Sequence, residues 1–479
     1  MPNFGKFSLK RWTIAGLVFV IVGGVWFVND PATFLRRTGG KVGAASQAPT
    51  LPLSANDVSW LFPPPTRPED FDNLIAMSDL TTPNPQDPTK RDRIWSDTAF
   101  RQFIGIAASP AALVADTTIR IGLPSEATSI DAWHIAGVRI DPGAPGLSNE
   151  IRDQFGQSPQ IRLIVQPVVR SANGPPKVLD IAAHLIFGFV TGVDTPAQPG
   201  CLPRFRPDLD TLAAIVAELT ALRTKLGEGQ LGTNKVTTSD KPLGIHPGLK
   251  DATTASNVRQ EMKAFLERHL SDQRLSAMAI MGLPGGAPAP WIFLSMLKLP
   301  PGAVPNLPDG GFVPVHGPAL DGQQFAEMLN PVGATQRVVP IPHPNNRAPI
   351  TCNNAANRVA GPLVAERRGS STADLFASPP PQADKIREIL DLIADPDRSH
   401  FFNTDCVSCH TDTRLGMDLL GINSIQGIDP NLLPNGPWNV RNFGWSPPIE
   451  GPVQATVTRR AATETAAVVT VINAGLLRN

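Results

Sequence analysis

Residues 160–190 read QIRLIVQPVVR, then SANGPP, then KVLDIAAHLIFGFV. Two runs rich in β-branched and aromatic residues flank a cluster of Ser, Asn, Gly and Pro, the pattern of neighbouring strands joined by a turn. In the second run Leu179, Ile181, Ala183, Leu185, Phe187 and Phe189 share one face at period two, as a strand buried on that side requires. His184 lies on the opposite face, near Asp180. Its ordinary role there is that of a satisfied sheet histidine.

The same pattern extends in both directions. Upstream, Thr117–Leu123 and Ala132–Asp141 are short β-like runs. Downstream, a proline-rich crossing at 194–207 leads into Asp208–Leu226 and Ser256–Leu270, both with helical spacing. In the latter, Val258, Met262, Phe265, Leu266 and His269 fall on one side. Leu275–Gly282 (LSAMAIMG) and Pro290–Leu299 (PWIFLSMLKL) predict two more strands, joined by LPGGAPA. The expected fold class is α+β: a large β-rich N-terminal region followed by a small, mostly helical C-terminal unit. The expected divisions are 1–30 as a membrane anchor or signal, 31–115 as proline-rich extended chain, 116–375 as a β-rich α+β domain, and 383–479 as the helical unit. Pro63, Pro64 and Pro65 and the stretch TTPNPQDP at 81–88 mark the second division.

The composition narrows the function classes. Lys+Arg and Asp+Glu both number 42 in 479 residues, so there is no positive surplus of the kind that nucleic-acid binding needs. Hydrophobic residues at 42% supply a sizeable core. Proline, at 50 residues, favours edge strands and ordered loops over a helical bundle. Tyrosine is absent, which excludes any mechanism that needs a tyrosyl group.

At the N-terminus, Lys6, Lys10 and Arg11 precede an uncharged stretch from Trp12 to Asn29. Its length as a helix is about 27 Å, enough to cross a hydrocarbon core. A cleaved secretory signal has the same charged start, but Asn29, Asp30 and Pro31 stand where its small-residue cleavage site belongs. The expectation is a single-pass anchor holding the rest of the chain on the periplasmic side of the cytoplasmic membrane. The alternative is a soluble periplasmic or secreted protein after signal cleavage.

One motif carries chemistry. Residues 406–410 read Cys-Val-Ser-Cys-His, a spacing expected by chance in about one such sequence in two thousand. Two thiols separated by two residues can add to the two vinyl groups of one haem, and a histidine directly after the second thiol reaches the iron from below the same ring. Cys406 and Cys409 are thus the expected thioether anchors and His410 the proximal iron ligand of one covalent haem c per chain. A structural zinc site needs four ligands, and this run offers three in tight succession. A redox CxxC pair belongs at a helix start after a strand in a thioredoxin-like pattern, which is not seen here.

On these residues the chain resembles the c-type cytochromes over roughly 383–479, about a fifth of its length. Asp384–Ala394 is amphipathic, with Ile386, Ile389, Leu390 and Ile393 on one face, and Thr463–Leu476 is a second helix candidate. A helix before CxxCH and one at the C-terminus resemble the crossed helices that frame haem in small single-haem cytochromes. The resemblance also implies a methionine some tens of residues after the motif, but only Met417 follows His410. Met417 is therefore one candidate distal ligand. His184, His316 or His343 is another source, and an open sixth position is a third. His400 and Arg441 are candidates to contact a haem propionate, and Pro437–Trp445 to pack on the haem edge.

Cys201 and Cys352 form a leftover pair, for which an exported chain predicts a disulfide. The function expected from these features is a membrane-anchored electron carrier with a redox partner protein and no nucleic-acid partner. Two other classes stay open: a haem enzyme or ligand sensor with an open iron face, and a periplasmic binding module with an accessory haem.

Overall fold

The computed structural model describes residues 52–108, 112–114, 117–119, 121–144, 147, 157–194, 204–282, 291–298, 311–314, 323–329, 337–340, 375, 381–399, 404, 406–436, 439–447 and 452–475. The fold is α+β, built on one antiparallel sheet. Its main path runs through Ser59–Leu61 (β1), Trp133–Ala144 (β2), Ser158–Val169 (β3), Ile181–Gly188 (β4), Leu275–Gly282 (β5), Trp291–Lys298 (β6), Gln323–Leu329 (β8) and Arg337–Pro340 (β9). Phe312–Pro314 (β7) pairs with β6, and the two-residue strand Lys177–Val178 pairs with β3.

The register sorts the side chains into two unlike faces. On one, Val138, Leu163, Leu185, Met278 and Met296 stand opposite one another across β2 to β6. All five are buried, and the next row repeats the theme with Val165, Ala183, Ile280 and Leu294. This face belongs to the same continuous hydrophobic core as helices Leu209–Glu228 (α2) and Ala255–His269 (α3). Helix α2 begins where the Asp208 carboxylate accepts a hydrogen bond from the Thr211 amide at 3.0 Å, and ends at Gly229 with φ 76, an N-cap and a left-handed C-cap that glycine adopts at little cost.

The opposite face is mixed. One row across it reads Gly137, Ile164, His184, Ala279, Ser295. The row on one side holds Arg139 and Arg162, and the row on the other holds Ala182, Met281 and Phe293. The C-terminal segment covers this face. It comprises Ala383–Ala394 (α4), Cys406–Leu420 (α5), the hairpin Phe443–Ser446 (β10) with Gln454–Val457 (β11), and Arg459–Gly475 (α6). Phe443 lies so close over Gly137 that a Cβ there would sit 2.9 Å from its ring. Glu464 of α6 bridges Arg139 at 2.8 Å and Arg162 at 3.1 Å. Two guanidiniums directly opposite on neighbouring strands repel unless an anion lies between them, and Glu464 supplies it.

Residues 383–479 therefore add side chains, among them Trp445, Val457 and Ile472, to the core the sheet also fills. The framing helices are where the periodicity puts them, with α4 over 383–394, while α6 begins four residues early at Arg459. There the Thr458 hydroxyl accepts from the Ala461 amide at 3.4 Å and the Thr413 hydroxyl from the Arg459 amide at 2.8 Å, so the helix start is satisfied from outside the local sequence. Helix Asp97–Ala108 (α1) lies in the stretch expected as extended chain. Its Phe100 and Phe103 meet Trp95 edge-on at 4.9 and 5.2 Å, and Phe103 meets Trp133 at 5.5 Å.

Candidate functional site

The Cys-Val-Ser-Cys-His run forms the first turn and a half of α5. At 3.6 residues per turn, positions 406, 409 and 410 fall within about 100° of one another, so both thiols and the imidazole share one helix face. All three side chains are partly exposed, whereas Val407 and Ser408 on the other side of the turn are buried. Val407 anchors the turn to the sheet, in an apolar cluster with Ala182, Met281, Phe293 and Val440 against which Cys406 also rests. Cys409 rests on a second cluster, which holds Ile386, Ile389, Leu390 and Ile393 of α4 together with Leu415. The helix is thus wedged between the sheet and α4.

His410 is oriented by the backbone. Its Nδ1 lies 2.6 Å from the carbonyl oxygen of Val440, so Nδ1–H donates and Nε2 keeps the lone pair. A ligating histidine almost always has its other ring nitrogen fixed in this way. Burial holds the imidazole well below its usual range, at about 4, with the nearby Arg441 guanidinium adding to the effect against the Val440 hydrogen bond. It is neutral at physiological pH, as an iron ligand must be. The Phe293 ring lies 5.1 Å away, tilted.

The next residue after Val440 fixes this loop. Arg441 is buried and donates from Nη2 to the Asp180 carboxylate at 2.9 Å, from Nε to the Trp445 carbonyl at 3.1 Å, and from Nη1 toward the Met281 sulfur at 3.4 Å. Its charge is thus engaged by Asp180 at the sheet. Burial pushes the Asp180 carboxyl up to about 6 despite Arg441, and its Oδ2 has no hydrogen-bond partner among the described residues. On α5 itself, burial raises Asp412 to about 7, and its Oδ2 likewise has no partner among the described residues.

His184 projects from β4 on this same side of the sheet, two residues from Ala182. Burial first, and then the neighbouring His410, Arg162 and Arg139, hold it at about 3. Met417 follows His410 by seven residues on the same continuous helix, on the same face and about 10 Å further along the axis. It rests against the main core. A straight helix leaves the two side chains parallel, so α5 does not bring Met417 to the side of an iron opposite His410. The sharp fold-back that this ligand requires is absent. His316, His343, His400, Cys201, Cys352, Pro437, Trp438 and the apolar segment 12–29 lie outside the described residues. Among the described residues no helix is long and apolar enough to cross a membrane, and no group of three or more His, Cys, Asp or Glu side chains is placed to hold a metal ion.

This donor set fits a covalent haem. The two thiols are one turn apart, the imidazole follows on the same face with Nε2 as its acceptor nitrogen, and the walls beside them are apolar. Two features here have no local signature in the sequence. The Val440 carbonyl is backbone, and Phe293 reaches the site from a strand more than one hundred residues upstream. No family model matches this chain, and neither a curated protein nor a solved structure shows significant similarity to it.

Proposed function

We propose that this chain is an exported, membrane-anchored carrier of single electrons with one covalent haem c. The observation that carries this reading is the oriented imidazole of His410 on one helix face with Cys406 and Cys409. Each thiol would add across one vinyl group, its sulfur bonding one carbon and its hydrogen the other, so that the addition needs no oxidant. His410 Nε2 would bind the iron, with Nδ1–H kept on the Val440 carbonyl. The haem supplies the one-electron iron couple. The chain's own contribution is a neutral ligand, an apolar wall and a buried ion pair beside it, features that tune a potential rather than perform acid–base chemistry. The partners that fit are redox proteins on the periplasmic side, with segment 12–29 as the anchor.

Acid–acetone extraction of the denatured protein tests this directly. Haem should stay with the chain at one per polypeptide, and Cys406→Ala with Cys409→Ala should release it. Complete release from the wild type would overturn the proposal. The mass of the mature N-terminus separates an anchored from a cleaved form.

A further inference from the structure

We propose that Asp180 takes up a proton when the iron held at His410 accepts an electron, so that the Asp180–Arg441 pair makes the potential of the carrier depend on pH. This rests on the haem reading above and adds a regulation of the same site.

Three observations carry it. The first is connectivity. Arg441 Nη2 donates to Asp180 Oδ1 at 2.9 Å, and the preceding residue, Val440, accepts from His410 Nδ1–H at 2.6 Å. One imidazole and one peptide therefore separate an iron at Nε2 from the residue that carries the guanidinium, and that guanidinium already acts on His410. The second is charge balance. Arg441 is buried, and its Nε and Nη1 turn to neutral groups, the Trp445 carbonyl and the Met281 sulfur. Among the described residues the charge that acts on Asp180 is that of Arg441. The oxidised iron carries one positive charge more than the reduced iron, and in a low-dielectric interior that difference is felt by a nearby carboxyl group. An added positive charge favours the carboxylate, and its removal favours the acid. The third is the state of Asp180 itself. Its side chain is 18% exposed, so a proton can arrive from solvent, while Oδ2 has no hydrogen-bond partner among the described residues. Burial already lifts the group to about 6, where a modest change in nearby charge decides its form. On reduction the one-electron donor supplies the electron, solvent supplies the proton, and an O–H bond forms on Oδ2. His410 and His184, at about 4 and about 3, stay neutral in this range. Asp412, at about 7 on α5, answers instead to Arg459 and Arg460 and serves as the control.

The test is the midpoint potential of the full-length haem-loaded protein across about pH 5 to 8, in the wild type, Asp180→Asn and Asp412→Asn. The wild-type potential should fall as pH rises and level off at both ends. Asp180→Asn should flatten this response and hold the potential near the acid limit of the wild type, whereas Asp412→Asn should keep the response. Reduced-minus-oxidised infrared spectra should show a protonated carboxyl band that appears on reduction, shifts with isotope-labelled aspartate and is missing from Asp180→Asn. A wild-type potential that does not vary with pH, or a response that survives in Asp180→Asn, overturns this proposal and leaves the haem reading standing. Wild-type chain with no covalent haem overturns both. Should Asp180→Asn fail to mature, the infrared spectrum decides, since a band absent from the labelled wild type, or lost in Asp412→Asn, refutes the proposal.

Discussion

Asp180 and Arg441, 261 residues apart in the chain, form a buried ion pair at 2.9 Å that ties the sheet to the loop whose Val440 carbonyl orients His410. Removing one partner of such a pair strands the other charge in a dry environment, at a cost of about 3–5 kcal/mol. Arg441→Gln should therefore lower the urea midpoint strongly and loosen the His410 loop. Asp180→Asn, which leaves an amide able to accept from the guanidinium, should cost less. Equal losses in the two variants would show that the pair acts only through packing.

The same pair sets a pH dependence. Burial lifts Asp180 from its ordinary 3.8 to about 6, so between these values the folded chain holds a proton that the unfolded chain has released. Stability from this group is fully present below about pH 4, declines as pH rises to about 6, and is level above that. Against Asp180→Asn, the wild type should lose unfolding free energy over that interval. Parallel curves for the two proteins would show that Asp180 does not titrate there.

Much of the sheet was legible in the sequence because its signal is local. The period-two row from Leu179 to Phe189 is the buried side of β4, and LSAMAIMG is β5. The CxxCH run was legible because it is five consecutive residues, and the structure places its two thiols and imidazole on one face of α5. What covers the mixed face was not legible. The contacts of Glu464 with Arg139 and Arg162, and of Phe443 with Gly137, join residues some three hundred positions apart, and no short window records them. Helix α1 was hidden by the surrounding prolines, although Phe100, Phe103 and Ala107 repeat at helical spacing.

Glu464 is the keystone of that cover. Arg139 and Arg162, facing each other on β2 and β3, draw its carboxylate well below the usual range against the cost of burial. Because this pKa is depressed, the stabilisation is present above the ordinary carboxylate range and fades as pH falls through it. Glu464→Gln should cost about 3–5 kcal/mol near neutral pH and much less in acid. Chemical denaturation at two pH values checks this, and a loss independent of pH would point to packing instead.

Gly137 allows the β10 hairpin to lie flat on the sheet. A Cβ at this position would sit 2.9 Å from the Phe443 ring and 3.3 Å from the Trp60 carbonyl. Gly137→Ala should destabilise by about 1–3 kcal/mol, the range for overpacking. Shortening the opposing ring with Phe443→Leu should recover part of that loss in the double variant. Simple additivity of the two costs in a double-mutant cycle would refute the contact.

Met417 sits where the unbroken helix α5 carries it. It follows His410 by two turns on the same face of α5 and rests on the main core, so its sulfur and the His410 Nε2 point the same way instead of toward each other. Its work there is to fill space, a role that leucine performs nearly as well, and a volume-conserving swap in a core costs less than about 1.5 kcal/mol. Met417→Leu should accordingly leave the absorption spectrum, the spin state and carbon monoxide binding of the haem-loaded protein unchanged, with a small shift in the unfolding midpoint. Loss of a low-spin signature in this variant would place the sulfur on the iron. Helix α5 would then have to break between residues 411 and 416, which hydrogen exchange of the amides over that segment would reveal.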